Sequence, residues 1–92
     1  MTDAAKILEQ IKHLDLYLLL EAVPGATDEE IKKAYKKMAF KRHPDKNPGN
    51  PRATEDFQQL GNAYAVLKDK AARRNYDMFF EARKARKWGA RY

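Results

Sequence analysis

The segment KRHPDKNPGNP, residues 41–51, constrains the fold more than any other stretch, because it holds three of the chain's four prolines. Proline fixes φ at about −65° and has no backbone N–H to donate. The residue before a proline is also pushed out of the α-helical region. A helix that approaches this segment must therefore end before Pro44, and the chain must turn.

A strong helical pattern precedes this loop. Thr27 and Glu30 match a capping box, in which the hydroxyl and the carboxylate satisfy free backbone N–H groups at a helix start. At ~100° per residue, the apolar side chains that follow share one face: Ile31, Ala34, Tyr35, Met38 and Ala39. The opposite face, called the lysine face below, carries Lys32, Lys33, Lys36, Lys37 and Lys41. We therefore predict an amphipathic helix with one buried and one basic face.

Helical patterns also occupy the rest of the chain, and none of it alternates as a strand would. Residues 2–21 form two helical segments that break near Asp15, which can cap the second one. A third helix opens near Pro51, and a fourth follows the cap residue Asp69 and could end at Gly89. The apolar stripe of the third helix is Ala53, Phe57, Leu60, Tyr64 and Leu67. The prediction is an all-α fold with two long helices antiparallel across the loop.

Composition narrows the classes of function. The chain has 92 residues, a net charge of +6 and no cysteine, which suits one domain with a basic surface that attracts anionic partners. Serine is absent as well, and the only histidines are His13 and His43. We expect no enzyme active site, no metal and no cofactor. No apolar run approaches the ~20 residues of a membrane span, and no secretory signal begins the chain, so we expect an intracellular protein.

The residues alone leave the purpose of the loop open. His43 could merely neutralise a helix C-terminus, and Asp45 could be an ordinary turn residue. Alternatively, proline holds the Asp45 carboxylate out to meet an arginine of another protein. The lysine face also has two possible interpretations, because a basic helix face can be solvated or can bind a partner.

A resemblance favours the partner-binding alternative. His43-Pro44-Asp45 lies between two amphipathic helices, and this resembles the signature of the J domain of the DnaJ co-chaperone family. The segments LDLYLLLEA, ATDEEIKKAYKKMAFKRHPDKNP and FQQLGNAYAVLKDKAARRNYD resemble the family's four helices in order. The similarity covers residues 15 to about 78, and implies a four-helix domain in which the HPD loop joins helices II and III. We accordingly divide the chain into an N-terminal helical extension (1–14), a J domain (15–80) and a basic helical tail (81–92).

The resemblance implies that the chain docks on a DnaK-type (heat-shock protein 70) chaperone and stimulates its ATP hydrolysis. In the family, a basic helix face meets an acidic groove of the chaperone, and the HPD aspartate pairs with a chaperone arginine. The positions that match the family's contacts are His43, Pro44, Asp45, Tyr35, Lys32, Lys33, Lys36, Lys37, Arg42, Asn47, Phe57 and Arg73. We expect a monomer that does not enter a membrane.

Finer similarity points to the spliceosome-associated class C members of this family, and so to the nucleus or cytoplasm and to spliceosome or RNA partners. The alternative function is a basic helical module that binds RNA or another partner without stimulating a chaperone. RNA contact would involve the tail around Trp88. Two residues depart from the expected pattern. Glu21 stands where the family usually has glycine, and Phe40 projects into the lysine face, where it could contact a partner or fold back onto an end helix.

Overall fold

The computed structural model describes the backbone of residues 3–89 and the side chains of residues 3–83. Its described part contains five α-helices, a 3-10 turn and no strand: α1 Ala4–Ile11, α2 Leu16–Leu20, α3 Asp28–Arg42, the 3-10 turn Pro44–Lys46, α4 Ala53–Lys68 and α5 Lys70–Gly89. The all-α prediction is confirmed. The predicted role of Trp88, and most of the basic tail, lie outside the described side chains.

The two long helices α3 and α4 form an antiparallel hairpin. Tyr35 stacks on Tyr64 with ring centroids 4.4 Å apart, and His43 meets Phe57 edge-on at 5.2 Å. From Tyr35 to His43 the chain advances along α3, while their partners on α4 run backwards from Tyr64 to Phe57. The two helices are therefore antiparallel. A Cβ at Gly61 would lie 4.0 Å from the Tyr35 hydroxyl, an ordinary van der Waals distance.

Side chains cap the starts of α1, α2, α3 and α5, whereas α4 begins after Arg52 without a side-chain cap. Thr27 and Glu30 form the capping box in both directions, and the hydrogen bonds with Thr27 lower the pKa of the Glu30 carboxyl. Asp3, Asp15 and Asp69 accept hydrogen bonds from backbone N–H groups in the first turns of α1, α2 and α5. These contacts satisfy donors that a helix start leaves free.

The apolar stripe of α4 differs from the predicted one. Ala63 and Val66 are fully buried, whereas Phe57 and Tyr64 are only partly covered. The predicted stripe assumed that α4 packs against the core with one face, but α4 contacts all four other helices. A helix at the centre of a bundle buries a wider arc than a surface helix does.

A polar cluster ties α5 to α2 and to the turn before α3. The Tyr76 hydroxyl donates to Leu14 O at 2.7 Å and accepts from Leu16 N at 3.0 Å. The Tyr17 hydroxyl donates to Asp77 and accepts from Arg73 Nε. Burial, with the Asp77 carboxylate beside it, raises the pKa of Tyr17 to about 12. These contacts fix the break between α1 and α2 against the last helix.

Helix α1 packs on α4 and α5. Its apolar residues Ile7, Leu8 and Ile11 belong to the same core as α2 to α5. Helix α1 thus shares one core with the other helices. The predicted domain boundary after residue 14 stays a prediction. No helix in the described part of the chain is both long and apolar enough to cross a bilayer.

Candidate docking site

The loop between α3 and α4 presents one carboxylate to solvent. His43 leaves the helical conformation at φ −59° and ψ 135°, as the following proline requires. Pro44 then starts the 3-10 turn, and Asp45 N donates to His43 Nδ1 at 3.1 Å. The Asp45 side chain is 92% exposed. A short rigid turn thus holds a charged group outward at the end of α3.

Asn47 holds the base of this turn. Its Nδ2 donates to Lys41 O at 3.0 Å and to His43 O at 2.9 Å. These carbonyls belong to the last turn of α3 and its cap, where no intrahelical donor is available. Asn47 therefore closes the end of α3. A contact of Asn47 with a partner stays a prediction.

His43 joins the turn to α4. Its ring packs edge-on against Phe57, and its Nδ1 is the acceptor for Asp45 N. The ring orients Asp45 by two contacts, one to the turn and one to the hairpin.

The basic residues of α3 surround the approach to this turn. Lys32, Lys33, Lys36, Lys37, Lys41 and Arg42 are all exposed. Tyr35 is partly buried and stacks on Tyr64. The structure thus places eleven of the twelve expected docking positions on α3, on the turn that follows it and, for Phe57, on the facing part of α4.

Arg73 is placed elsewhere. Its side chain is 15% exposed and donates to Pro24 O and Ala26 O, with Asp28 3.4 Å away. Asp28 begins α3, whose 15 residues put it roughly 20 Å from the HPD turn. The structure gives Arg73 a role in holding the turn before α3. Its contact with a chaperone stays a prediction.

The structure also adds a residue that the sequence analysis missed. Lys46 Nζ lies 2.9 Å from the centroid of the Phe40 ring, and Phe40 does not fold back onto an end helix but stays 67% exposed. No sequence pattern predicts this pair, because Lys46 reaches Phe40 only through the fold of the 3-10 turn.

Comparison with known proteins gives one family. The family model described as the DnaJ domain matches residues 15–77. DnaJ homolog subfamily C member 17 of Rattus norvegicus is 50% identical over 84 residues, which cover 91% of this chain and 27% of the relative. Chaperone protein DnaJ of Clostridium botulinum is 50% identical over 68 residues, covering 74% of this chain and 18% of that protein. The chain thus spans about a quarter or less of these relatives.

Solved structures agree with the family match. The crystal structure of the J-Trx1 fragment of ERdj5 has a TM-score of 0.66 and 47% identity, covering 72% of this chain and 32% of that one. The solution structure of the J-domain from human DnaJ subfamily C member 12 has a TM-score of 0.65 and 34% identity, covering 83% and 70%. Helix α1 precedes the range that the DnaJ model matches.

Proposed function

Because the chain belongs to the DnaJ-domain family, we propose that it docks on a DnaK-type chaperone through the HPD turn and the lysine face, and stimulates ATP hydrolysis there. The observation that carries the proposal is the Asp45 carboxylate, 92% exposed on a turn that His43 and Asn47 hold rigid. A carboxylate fixed in this way loses little conformational freedom on pairing with an arginine.

The two parts of the site contribute differently. The exposed lysines of α3 attract an acidic surface over a distance, and raise the rate of encounter. The Asp45 carboxylate acts only at contact, where a bidentate pair with a guanidinium has one preferred geometry. The chain itself supplies no reacting group. It favours one conformation of its partner by binding that conformation more tightly.

The test is the single-turnover ATPase rate of a purified DnaK-type chaperone with the parent chain and with Asp45→Asn. We expect the parent to accelerate hydrolysis and Asp45→Asn to lose at least ~90% of the stimulation. The matched control is Glu81→Gln, which removes a charge from an exposed residue of α5. Stimulation that survived in Asp45→Asn, or was absent from the parent, would contradict the proposal.

We further propose that this activity operates in the nucleus during pre-mRNA splicing, with spliceosome components or RNA as additional partners. The support is the similarity to spliceosome-associated members of the family. The measurement is recovery of spliceosomal RNA with the tagged chain from nuclear extract, before and after nuclease treatment. Recovery no greater than with a J domain from a bacterial DnaJ would contradict the splicing role. RNA recovery without chaperone stimulation would favour the alternative RNA-binding module.

A further inference from the structure

A second cluster of basic and aromatic side chains lies between α1 and α5, on helices that carry no part of the HPD turn. The Phe79 ring is 39% exposed, and two cations lie over it. Lys12 Nζ is 5.3 Å from the ring centroid, and the Arg83 guanidinium carbon is 5.8 Å from it. Both distances fall within the ~6 Å range of a cation–π contact. An aromatic ring that reaches solvent is thus bordered by two positive charges.

The ring forms one wall of a groove between the two helices. Asn75 lines this groove from α5, and Glu9 and Lys12 line it from α1 and its cap. The Asn75 carboxamide can both donate and accept hydrogen bonds. Glu9 Oε2 lies 3.2 Å from Lys12 Nζ, so one carboxylate partly offsets the positive charge. The groove therefore offers an aromatic ring, a polar amide and cations within one small surface.

The cluster lies outside the part of the chain that is shared with the family. The DnaJ model matches residues 15–77, whereas Lys12, Phe79 and Arg83 all fall beyond that range. None of the three is among the predicted docking positions for the chaperone. Arg83 also belongs to the basic tail, residues 81–92, whose sequence carries a net charge of +4, from Arg83, Lys84, Arg86, Lys87 and Arg91 against Glu81.

We propose that this groove binds single-stranded RNA, with a base stacked on the Phe79 ring and backbone phosphates paired with Lys12 and Arg83. Proteins that bind single strands without sequence preference combine a positively charged groove with aromatic side chains on which bases stack. An acidic protein would need the cations alone, so the exposed ring favours a nucleic acid as the ligand. The inference rests on the RNA partner of the proposed function, because it gives that partner a site.

The ring and the cations differ in their response to salt. A phosphate contact releases counterions, so the loss of one contact to a single strand should flatten the slope of log K against log salt by about 0.7. Stacking on a ring releases none of these ions. Loss of Phe79 should therefore lower affinity by a similar factor at every salt concentration, whereas loss of Lys12 should change the slope.

The experiment measures the Kd of the 92-residue chain for a short oligouridine RNA by fluorescence anisotropy at several salt concentrations, with the unfolding midpoint of every variant. We expect Phe79→Leu to raise the Kd about fivefold or more with an unchanged salt slope, and Phe79→Trp to retain the parent's affinity. Lys12→Gln should raise the Kd and flatten the slope, and Glu9→Gln should lower the Kd, because it removes a charge that repels phosphate. Met78→Leu is the matched control, since Met78 is the neighbouring residue on α5 and 67% exposed, and it should leave the Kd unchanged.

The outcomes separate this site from other roles of the same residues. A Phe79→Leu Kd equal to that of the parent overturns the inference, even while RNA recovery from nuclear extract and chaperone stimulation uphold the proposed function. If Phe79→Trp loses as much affinity as Phe79→Leu, the ring only holds α1 and the inference is likewise overturned. Equal affinity for a polyglutamate peptide would identify a general anion surface and would also overturn it. A parent chain that binds no RNA overturns the RNA part of the proposed function together with this site, whereas chaperone stimulation would stand.

Discussion

At the scale of single residues, the docking turn depends on side chains that satisfy backbone groups. His43 accepts from Asp45 N, and Asn47 donates to two carbonyls at the end of α3. In a continuing helix Asp45 N would donate to Lys41 O, and where α3 ends these contacts give both groups a partner. The sequence analysis predicted His43 and Asn47 as docking residues from the resemblance to the family. Their geometry shows why a rigid turn at this place needs them.

Glu21 is the other residue under unusual local constraint. It ends α2 in the left-handed conformation, with φ 53° and ψ 42°, and it is the only non-glycine with positive φ in the described part of the chain. This conformation costs a residue with a Cβ about 1–2 kcal/mol. Glycine avoids that cost but loses more conformational freedom on folding. Glu21, which stands where the family usually has glycine, therefore occupies a conformation that glycine would adopt at a lower cost in free energy.

We expect Glu21→Gly to raise the free energy of unfolding by about 0.5–1 kcal/mol, because removal of the Cβ relieves the left-handed residue by more than the added chain entropy costs. The measurement is the urea midpoint at constant m-value. Glu81→Gly is the control. It lies within α5 in the ordinary helical conformation, and should lower the free energy of unfolding by roughly 1 kcal/mol. A decrease at both positions would contradict the left-handed assignment.

At the scale of the elements, α3 separates two functions between its faces. Ile31 and Met38 are buried against the bundle, while the lysines opposite are exposed. Its three acidic residues lie in the first turn, and its basic residues follow from Lys32 onward, with Lys41 and Arg42 in the last turn, as the helix dipole favours. The same distribution that stabilises the helix therefore concentrates positive charge toward the HPD turn.

Reversal of two of these charges tests the lysine face. We expect Lys36→Glu with Lys37→Glu to weaken chaperone binding on the order of tenfold at low salt, since each exposed pair contributes up to ~1 kcal/mol. The salt dependence of the Kd should become flatter. The control reverses Lys68 and Lys70, which are also exposed but lie at the junction of α4 and α5. An unchanged slope in the α3 variant would count against the lysine face as a docking surface.

At the scale of the whole molecule, buried tyrosines hold together helices that lie far apart in the sequence. Tyr17 on α2 and Tyr76 on α5 pack with ring centroids 5.9 Å apart, and burial raises the pKa of both hydroxyls. Each hydroxyl also contacts a partner about 60 residues away in the sequence. Ionisation of either tyrosine would put a negative charge into the core, so the fold should lose stability at high pH.

We expect alkaline destabilisation in a defined range. The pKa of Tyr17 is about 12 in the folded chain, against 10.0 ordinarily. Its contribution to stability is therefore complete below pH ~10 and is lost as the pH rises toward ~12, and the loss by pH 11 is on the order of 1 kcal/mol. The measurement compares urea unfolding of the parent and Tyr17→Phe at pH 8 and pH 11. Equal losses in the two chains would show that Tyr17 does not control this range.

By itself, the sequence determined the local structure and the family. Prolines, caps and the apolar period locate the helices and the HPD turn, because those signals act between residues a few positions apart. Only the tertiary structure decided that α4 is buried on several sides, that Arg73 braces the turn before α3, and that Lys46 covers the Phe40 ring. Each of these depends on distant segments meeting in space, and a helical period carries no information about which neighbour its faces will contact.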